Sequence, residues 1–128
     1  MILPVKTRSR TELVDITGDV QAAISEAGVR DGFCMVFVPH TTAAVTINEN
    51  ADPTVKDDML KVIIIIIPWD DGYRHLEGNS AAHIKSTLVG ASELLAVVGG
   101  KLQLGTWQGI FFCEFDGPRR RKVHLHFI

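Results

Sequence analysis

Between Pro39 and Pro53 the chain reads PHTTAAVTINENADP, crowding His40, Thr41, Thr42, Asn48, Glu49, Asn50 and Asp52 around a short alternating apolar run, Val45 and Ile47. Asn- and Asp-rich turn chemistry at a strand end is where binding groups are usually mounted, and the stretch reads as the floor of a site. Glu49 and Asp52 have the chemistry of a general base or of ligands to a divalent ion. Asp52 has a structural alternative, since with Asn50 it can shape the turn and cap the helix that follows. Glu49, set between two asparagines and outside any helical pattern, has less structural excuse and is the preferred catalytic residue. Asn48 beside it and Asn50 can orient a substrate through amide hydrogen bonds. Thr41 and Thr42 add hydroxyls to the same floor.

Three further groups carry chemistry. His40, His75 and His83 present imidazoles from a strand end, a polar loop and a helix, but their spacing matches no zinc motif. Gly105-Thr106-Trp107-Gln108 sets a hydroxyl, a large ring and an amide side by side, an arrangement suited to a flat heterocycle. A tryptophan there can equally fill the core. Asp116-Gly117-Pro118 is a turn signal followed by Arg119, Arg120, Arg121 and Lys122. Arginine forks suit phosphate, and the alternative is a solvated basic edge strand that resists aggregation. The cluster stands alone in a chain of net charge -2, which argues against nucleic acid as the partner. His124 and His126, two apart on a strand, share a face; they read as surface or interface residues rather than as ligands.

The elements that must position these groups follow from periodicity. Ile2 to Arg8 and Glu12 to Ile16 alternate partially and suggest a β-hairpin. Thr17 looks like the N-cap of a helix carrying Val20, Ala23, Ile24 and Ala27 and ended by Gly28. Gly32 to Val38 is apolar on both faces, which predicts a buried strand, and Ala44 to Asn48 predicts another. Asp52-Pro53 opens a helix over roughly 54–60. The run Ile63 to Ile67 leaves no polar face, so it is either a helix buried all round or a strand, packed in the core or against a partner chain. A third helix fits Ser80 to Leu88, capped by Asn79 or Ser80 and ended by Gly90. Strands are predicted at Glu93 to Val98, Lys101 to Leu104, Trp107 to Phe115 and Lys122 to Ile128, with Gly99-Gly100 as a hairpin turn.

At 128 residues, 46% apolar and 22% charged, the chain is expected to form a single domain over 1–128 with an ordinary globular balance. The longest apolar run is too short to span a bilayer, so no membrane partner is expected. Two cysteines in apolar strand-like runs, with no CxxC and no signal peptide, predict buried reduced thiols and a cytoplasmic location. Strands outnumber helices, and the fold class is α+β on antiparallel sheet.

PHTTAAVTINENADP, DDGYRHLEGNSAAHIKSTLVG and GKLQLGTWQGIFFCEFDGPRRR, in that order and over nearly the whole chain, resemble the YjbQ-like family of small proteins. The resemblance implies two packed, mostly antiparallel β-sheets with flanking short helices, and a homotrimer about a threefold axis. It also implies a secondary thiamine-phosphate synthase activity of the kind linked to some members. It makes His40, His75 and His83 a metal site for a divalent ion, zinc or magnesium, with an open coordination position. It matches Arg119 and Arg121 to family positions, which points to a small phosphorylated metabolite as partner. Three functions are therefore open: a metal-dependent enzyme acting on a phosphorylated heterocycle, a non-catalytic module binding a phosphometabolite or metal, and an oligomeric structural protein.

Overall fold

A computed structural model describes all residues, 1–128. The elements are β1 (Ile2–Lys6), β2 (Glu12–Asp15), α1 (Thr17–Ala27), β3 (Gly32–Phe37), β4 (Ala43–Glu49), α2 (Pro53–Ile66), α3 (Ser80–Val89), β5 (Ser92–Val98), β6 (Lys101–Leu102), β7 (Gln108–Glu114) and β8 (Arg120–Phe127). They build the expected α+β architecture. One sheet has five strands in the order β1-β8-β3-β5-β6, the other three in the order β2-β7-β4, and every pairing is antiparallel.

The two sheets face each other across a core to which α1 contributes Val20, Ala23 and Ile24. Strand alternation fills the remainder: Cys34 and Val36 from β3, Ala43 and Val45 from β4, Ile110 and Phe112 from β7, Val123 and Leu125 from β8. The opposite face of β7 and β4 supplies Phe111, Cys113 and Ala44 to a second cluster, which Ala82 of α3 and Met59, Leu60 and Ile63 of α2 cover. β7 is thus buried on both faces, which is why its sequence, GIFFCE, is nearly continuous in apolar residues. Both thiols are free and buried, and burial pushes Cys34 to about 11 and Cys113 to about 12.

Several local expectations are corrected. The first two strands do not form a hairpin: β1 pairs with β8 and β2 with β7, so they belong to different sheets. Each finds a longer apolar partner than the other could offer. Thr17 is the first helical residue rather than the cap. Asp15 Oδ1 accepts from its amide and hydroxyl, and Thr17 Oγ1 in turn accepts from Ile110 N at 2.8 Å, so the hydroxyl is used to tie α1 to β7. β3 is buried on one face only, since Phe33, and Leu94 on the adjacent β5, lie exposed on the outer side of the large sheet. The isoleucine run continues α2 as far as Ile66, and it does not enter the core of the chain. Only Ile63 packs inward, while Ile64, Ile65 and Ile66 are exposed. A short β-branched run costs a helix only a few tenths of a kcal/mol per residue, which Asp52 capping and Pro53 at the first turn offset.

Phe112 is fully buried between the sheets. Phe112→Ala should lower unfolding free energy by about 3–5 kcal/mol, read from urea denaturation. A loss under about 1 kcal/mol would mean that the inter-sheet core does not carry the fold.

Candidate functional site

The buried floor of the site is a carboxylate–guanidinium pair. Glu114, at the end of β7, is fully buried, and Arg121, near the start of β8, almost so. Arg121 Nε donates to Glu114 Oε1 at 2.9 Å while Nη2 donates to Oε2, a two-point fork. Glu114 also accepts from Thr7 Oγ1 at 2.7 Å and from Asp116 N at 3.1 Å. Arg121 Nη2 reaches on to Thr42 Oγ1 at 2.9 Å, just before β4. Gly117 makes the geometry possible, since a Cβ there would collide with the Glu114 side chain and the Ser9 carbonyl.

Above this pair opens a cavity of about 500 Å³ lined wholly by polar residues and Pro39. The loop after β3 contributes His40, Thr41 and Thr42; the loop before α3 contributes His75, Glu77 and Asn79; α3 contributes His83. Asp116, Arg119 and Arg121 close it from the β7–β8 connection. Arg119 is held by Asp116, with Nε on the carbonyl at 2.7 Å and Nη2 on Oδ2 at 3.0 Å. The same Oδ2 accepts from Asn79 Nδ2 at 2.9 Å, which leaves Asn79 Oδ1 buried and without a partner. An adjoining cavity of about 370 Å³ shares His40, Thr41 and His83.

Seven of the predicted site residues, His40, His75, His83, Thr41, Thr42, Arg119 and Arg121, therefore meet in one place. The other five lie elsewhere. Glu49 and Asn50 line a cleft of about 90 Å³ with Asp15, Asp52 and Lys56. Asn48 turns its amide to Glu49 N and Met59 Sδ. Gln108 pairs across the sheet with Glu49 and closes a turn by accepting from Gly105 N. Trp107 is exposed rather than in the core. This second group sits at the far end of β4, six residue steps from Ala43, or about 20 Å at the rise of a strand. Asp52 takes its structural role: it caps α2 by accepting from Thr54 N and Oγ1, and those bonds hold its carboxyl below the ordinary range.

The histidines converge without closing a metal centre. The rings of His75 and His83 stand edge to face, centroids 5.5 Å apart, and no three His, Cys, Asp or Glu side chains are close enough together to hold an ion. His40 already spends Nε2 on the backbone N–H of Lys122 at 3.1 Å. As the side chains stand, this donor set does not fit a three-ligand metal site. Burial, reinforced by the neighbouring Arg121 charge, holds the His40 imidazole below its ordinary pKa, so the ring is neutral at neutral pH.

Sequence reading missed Glu114, Asn79, Asp116 and Glu77. Glu114 had a signal, being the single charge inside the apolar run IFFCEF, where a lone carboxylate must find a buried partner. Burial by itself would raise the Glu114 carboxyl, but the Arg121 fork, the Thr7 hydroxyl and the Asp116 amide hold it below the ordinary value. A carboxyl depressed on folding adds stability that is fully present above its unfolded value and is lost as pH falls through the folded one. Glu114→Gln should therefore remove part of the acid limb of the stability–pH curve below about 4.5. It should also cost about 3–5 kcal/mol at neutral pH, because Arg121 is left buried and uncompensated. Equal stability of variant and wild type in chemical denaturation at pH 7 would refute this.

A profile described as "UPF0047 protein YjbQ-like" matches residues 1–128. A UPF0047 protein of Methanocaldococcus jannaschii is 56% identical over 124 residues, covering 97% of this chain and 90% of that protein. YugU of Bacillus subtilis, also a UPF0047 protein, is 53% identical over 124 residues, covering 96% and 94%. Among solved structures, an uncharacterised conserved protein of the YjbQ/UPF0047 family from Clostridium acetobutylicum superposes with a TM-score of 0.97 at 51% identity, over 100% of this chain and 99% of that one. A hypothetical protein from Aeropyrum pernix gives 0.95 at 41% identity, over 100% and 96%. With its sheets, its helices and its whole length matched, the chain belongs to the YjbQ-like UPF0047 family.

Proposed function

We propose that the cavity above Glu114 and Arg121 binds a small phosphorylated metabolite. The observation that carries this reading is the state of the two arginines. Each spends Nε and Nη2 on a carboxylate-bearing residue, and each keeps Nη1 without a partner in the chain. Guanidinium groups held in place by their own ion pairs are preorganised donors, and the ligand need not order them on binding. The wall contains no apolar side chain beyond Pro39, which suits an anionic head better than a hydrophobic ligand.

An enzyme of thiamine-phosphate synthase type, joining two phosphorylated heterocycles as diphosphate departs, would use this cavity for the leaving group. Arg119 and Arg121 would offset the charge that develops there. The histidines as arranged do not supply three ligands to a metal ion, so the arginines carry the charge stabilisation in this reading. One observation favours a binding module without turnover instead. Glu49, the proposed base, lies about 20 Å along β4 from the cavity. Within one chain it cannot touch a ligand held by the arginines.

Arg119→Ala should weaken binding of inorganic diphosphate about tenfold, and of inorganic phosphate less, in isothermal titration. Glu49→Gln should leave both affinities nearly intact and lower turnover if the chain is an enzyme. Wild-type protein that binds neither anion would sink the reading, and a Glu49→Gln variant that lost affinity would make that carboxylate a binding group.

We further propose that the chain assembles as a homotrimer. Val62, Ile64, Ile65 and Ile66 on α2 and Phe33, Leu94 and Val98 on the large sheet are more exposed apolar side chains than a domain of this size usually leaves in water. Threefold closure would cover such surface without open-ended growth. Only between copies could Glu49 meet a ligand held by the arginines. Sedimentation equilibrium should return three chain masses at micromolar concentration, and a monomer there would refute the assembly.

A further inference from the structure

His40 makes one hydrogen bond, and that bond determines its chemistry. The backbone N–H of Lys122 donates to Nε2 at 3.1 Å. A backbone amide has only a proton to offer, so Nε2 must present its lone pair and the ring proton must sit on Nδ1. Rotating the ring by half a turn would set a carbon against the amide, so the orientation is assigned by the donor. The charges around the ring agree. Burial, Arg121 and the Lys122 charge disfavour a second proton, the Lys122 backbone hydrogen bond and Glu114 oppose them, and the balance favours the neutral ring.

The Nδ1–H has no partner in the chain, while His40 lines both the 500 Å³ cavity and the adjoining one. Two residues lining the same cavity also keep a donor without a partner in the chain, Nη1 of Arg121 and Nη1 of Arg119. A metal taken up at Nε2 would displace the Lys122 amide and leave a backbone N–H unpaired, at a cost of about 1–3 kcal/mol where water cannot replace the lost bond. An anion at Nδ1–H displaces nothing.

We propose that His40 is a fixed neutral N–H donor, oriented by the Lys122 amide, which joins Arg121 and Arg119 in binding an oxyanion. This rests on the reading of the cavity as an anion site, and it gives His40 a role in that site other than metal ligation. The ligand class is a phosphoryl or similar tetrahedral oxyanion. Free phosphate and the phosphoryl group of a larger metabolite share this chemistry; titration with inorganic phosphate and with a simple alkyl phosphate separates the two sources.

The test uses the full-length protein with nitrogen-15-labelled histidine, in EDTA at neutral pH. Long-range proton–nitrogen spectra should show His40 with a protonated Nδ1 and a bare Nε2, and inorganic diphosphate should shift the Nδ1 signal. In titration calorimetry His40→Ala should bind diphosphate about tenfold more weakly. His40→Asn, whose amide N–H stands close to the place of Nδ1–H, should recover most of that loss. EDTA should change none of these affinities. A protonated Nε2, affinity undiminished in His40→Ala, or anion binding abolished by EDTA would each overturn the proposal while leaving the anion site itself standing. Failure of wild type to bind diphosphate or alkyl phosphate would overturn the anion-site reading, and this proposal with it.

Discussion

The Glu114–Arg121 pair is the constraint around which the rest of the molecule is arranged. Both charges are withdrawn from water, and desolvating an ion pair costs several kcal/mol unless most of its bonding capacity is met. Here it is met from four directions. Thr7 arrives from the chain between β1 and β2, Thr42 from the entrance to β4, and the Asp116 amide from the turn after β7, while the arginine itself comes from β8. A strand or loop displaced by a single residue would leave a buried charge short of a partner. The pair is weak evidence for stability and good evidence for register, since it links the end of the small sheet to the start of the large one.

That linkage explains why the cavity stands where it does. Loops converge at the strand ends that the pair joins, and each brings one kind of group: imidazoles after β3 and on α3, a carboxylate and a second arginine after β7. Asp116 serves two neighbours at once, Asn79 and Arg119, so the wall of the cavity is cross-braced as well as its floor. Side chains fixed this way lose little entropy on meeting a ligand. The far end of β4 is built differently. Gln108 and Asn48 are spent on local turns and backbone amides, and Trp107 stands exposed.

Much of the fold was legible in sequence because alternation and turn chemistry are local signals. Gly28, Gly90, Asp52-Pro53 and Gly99-Gly100 marked their boundaries correctly. What could not be read was pairing. Adjacent β1 and β2 looked like a hairpin, yet each pairs with a strand more than 90 residues away in sequence, and no local pattern carries that information. The site shows the same division. The residue types that line the cavity were identifiable, and seven of them do meet. Glu49 was grouped with them because it is near His40 in sequence, but an extended strand carries nine residues of separation to opposite ends of a sheet. Glu114 was overlooked because it sits in a run that reads as core, and its role depends on an arginine seven residues later.

The division between the two ends of β4 bears on what kind of molecule this is. A single chain holds a polar cavity with two braced arginines at one end and an unpaired carboxylate beside an exposed tryptophan at the other. The cavity gathers arginines and three imidazoles, whereas the Glu49 cleft, at about 90 Å³, is too small for a substrate. Turnover that used Glu49 on a ligand held by the arginines would require the two ends to be brought together, and strand geometry forbids this within one copy. A catalytic role for Glu49 and assembly are then the same question. Binding is not, because His40, Arg119 and Arg121 all line the cavity of a single chain.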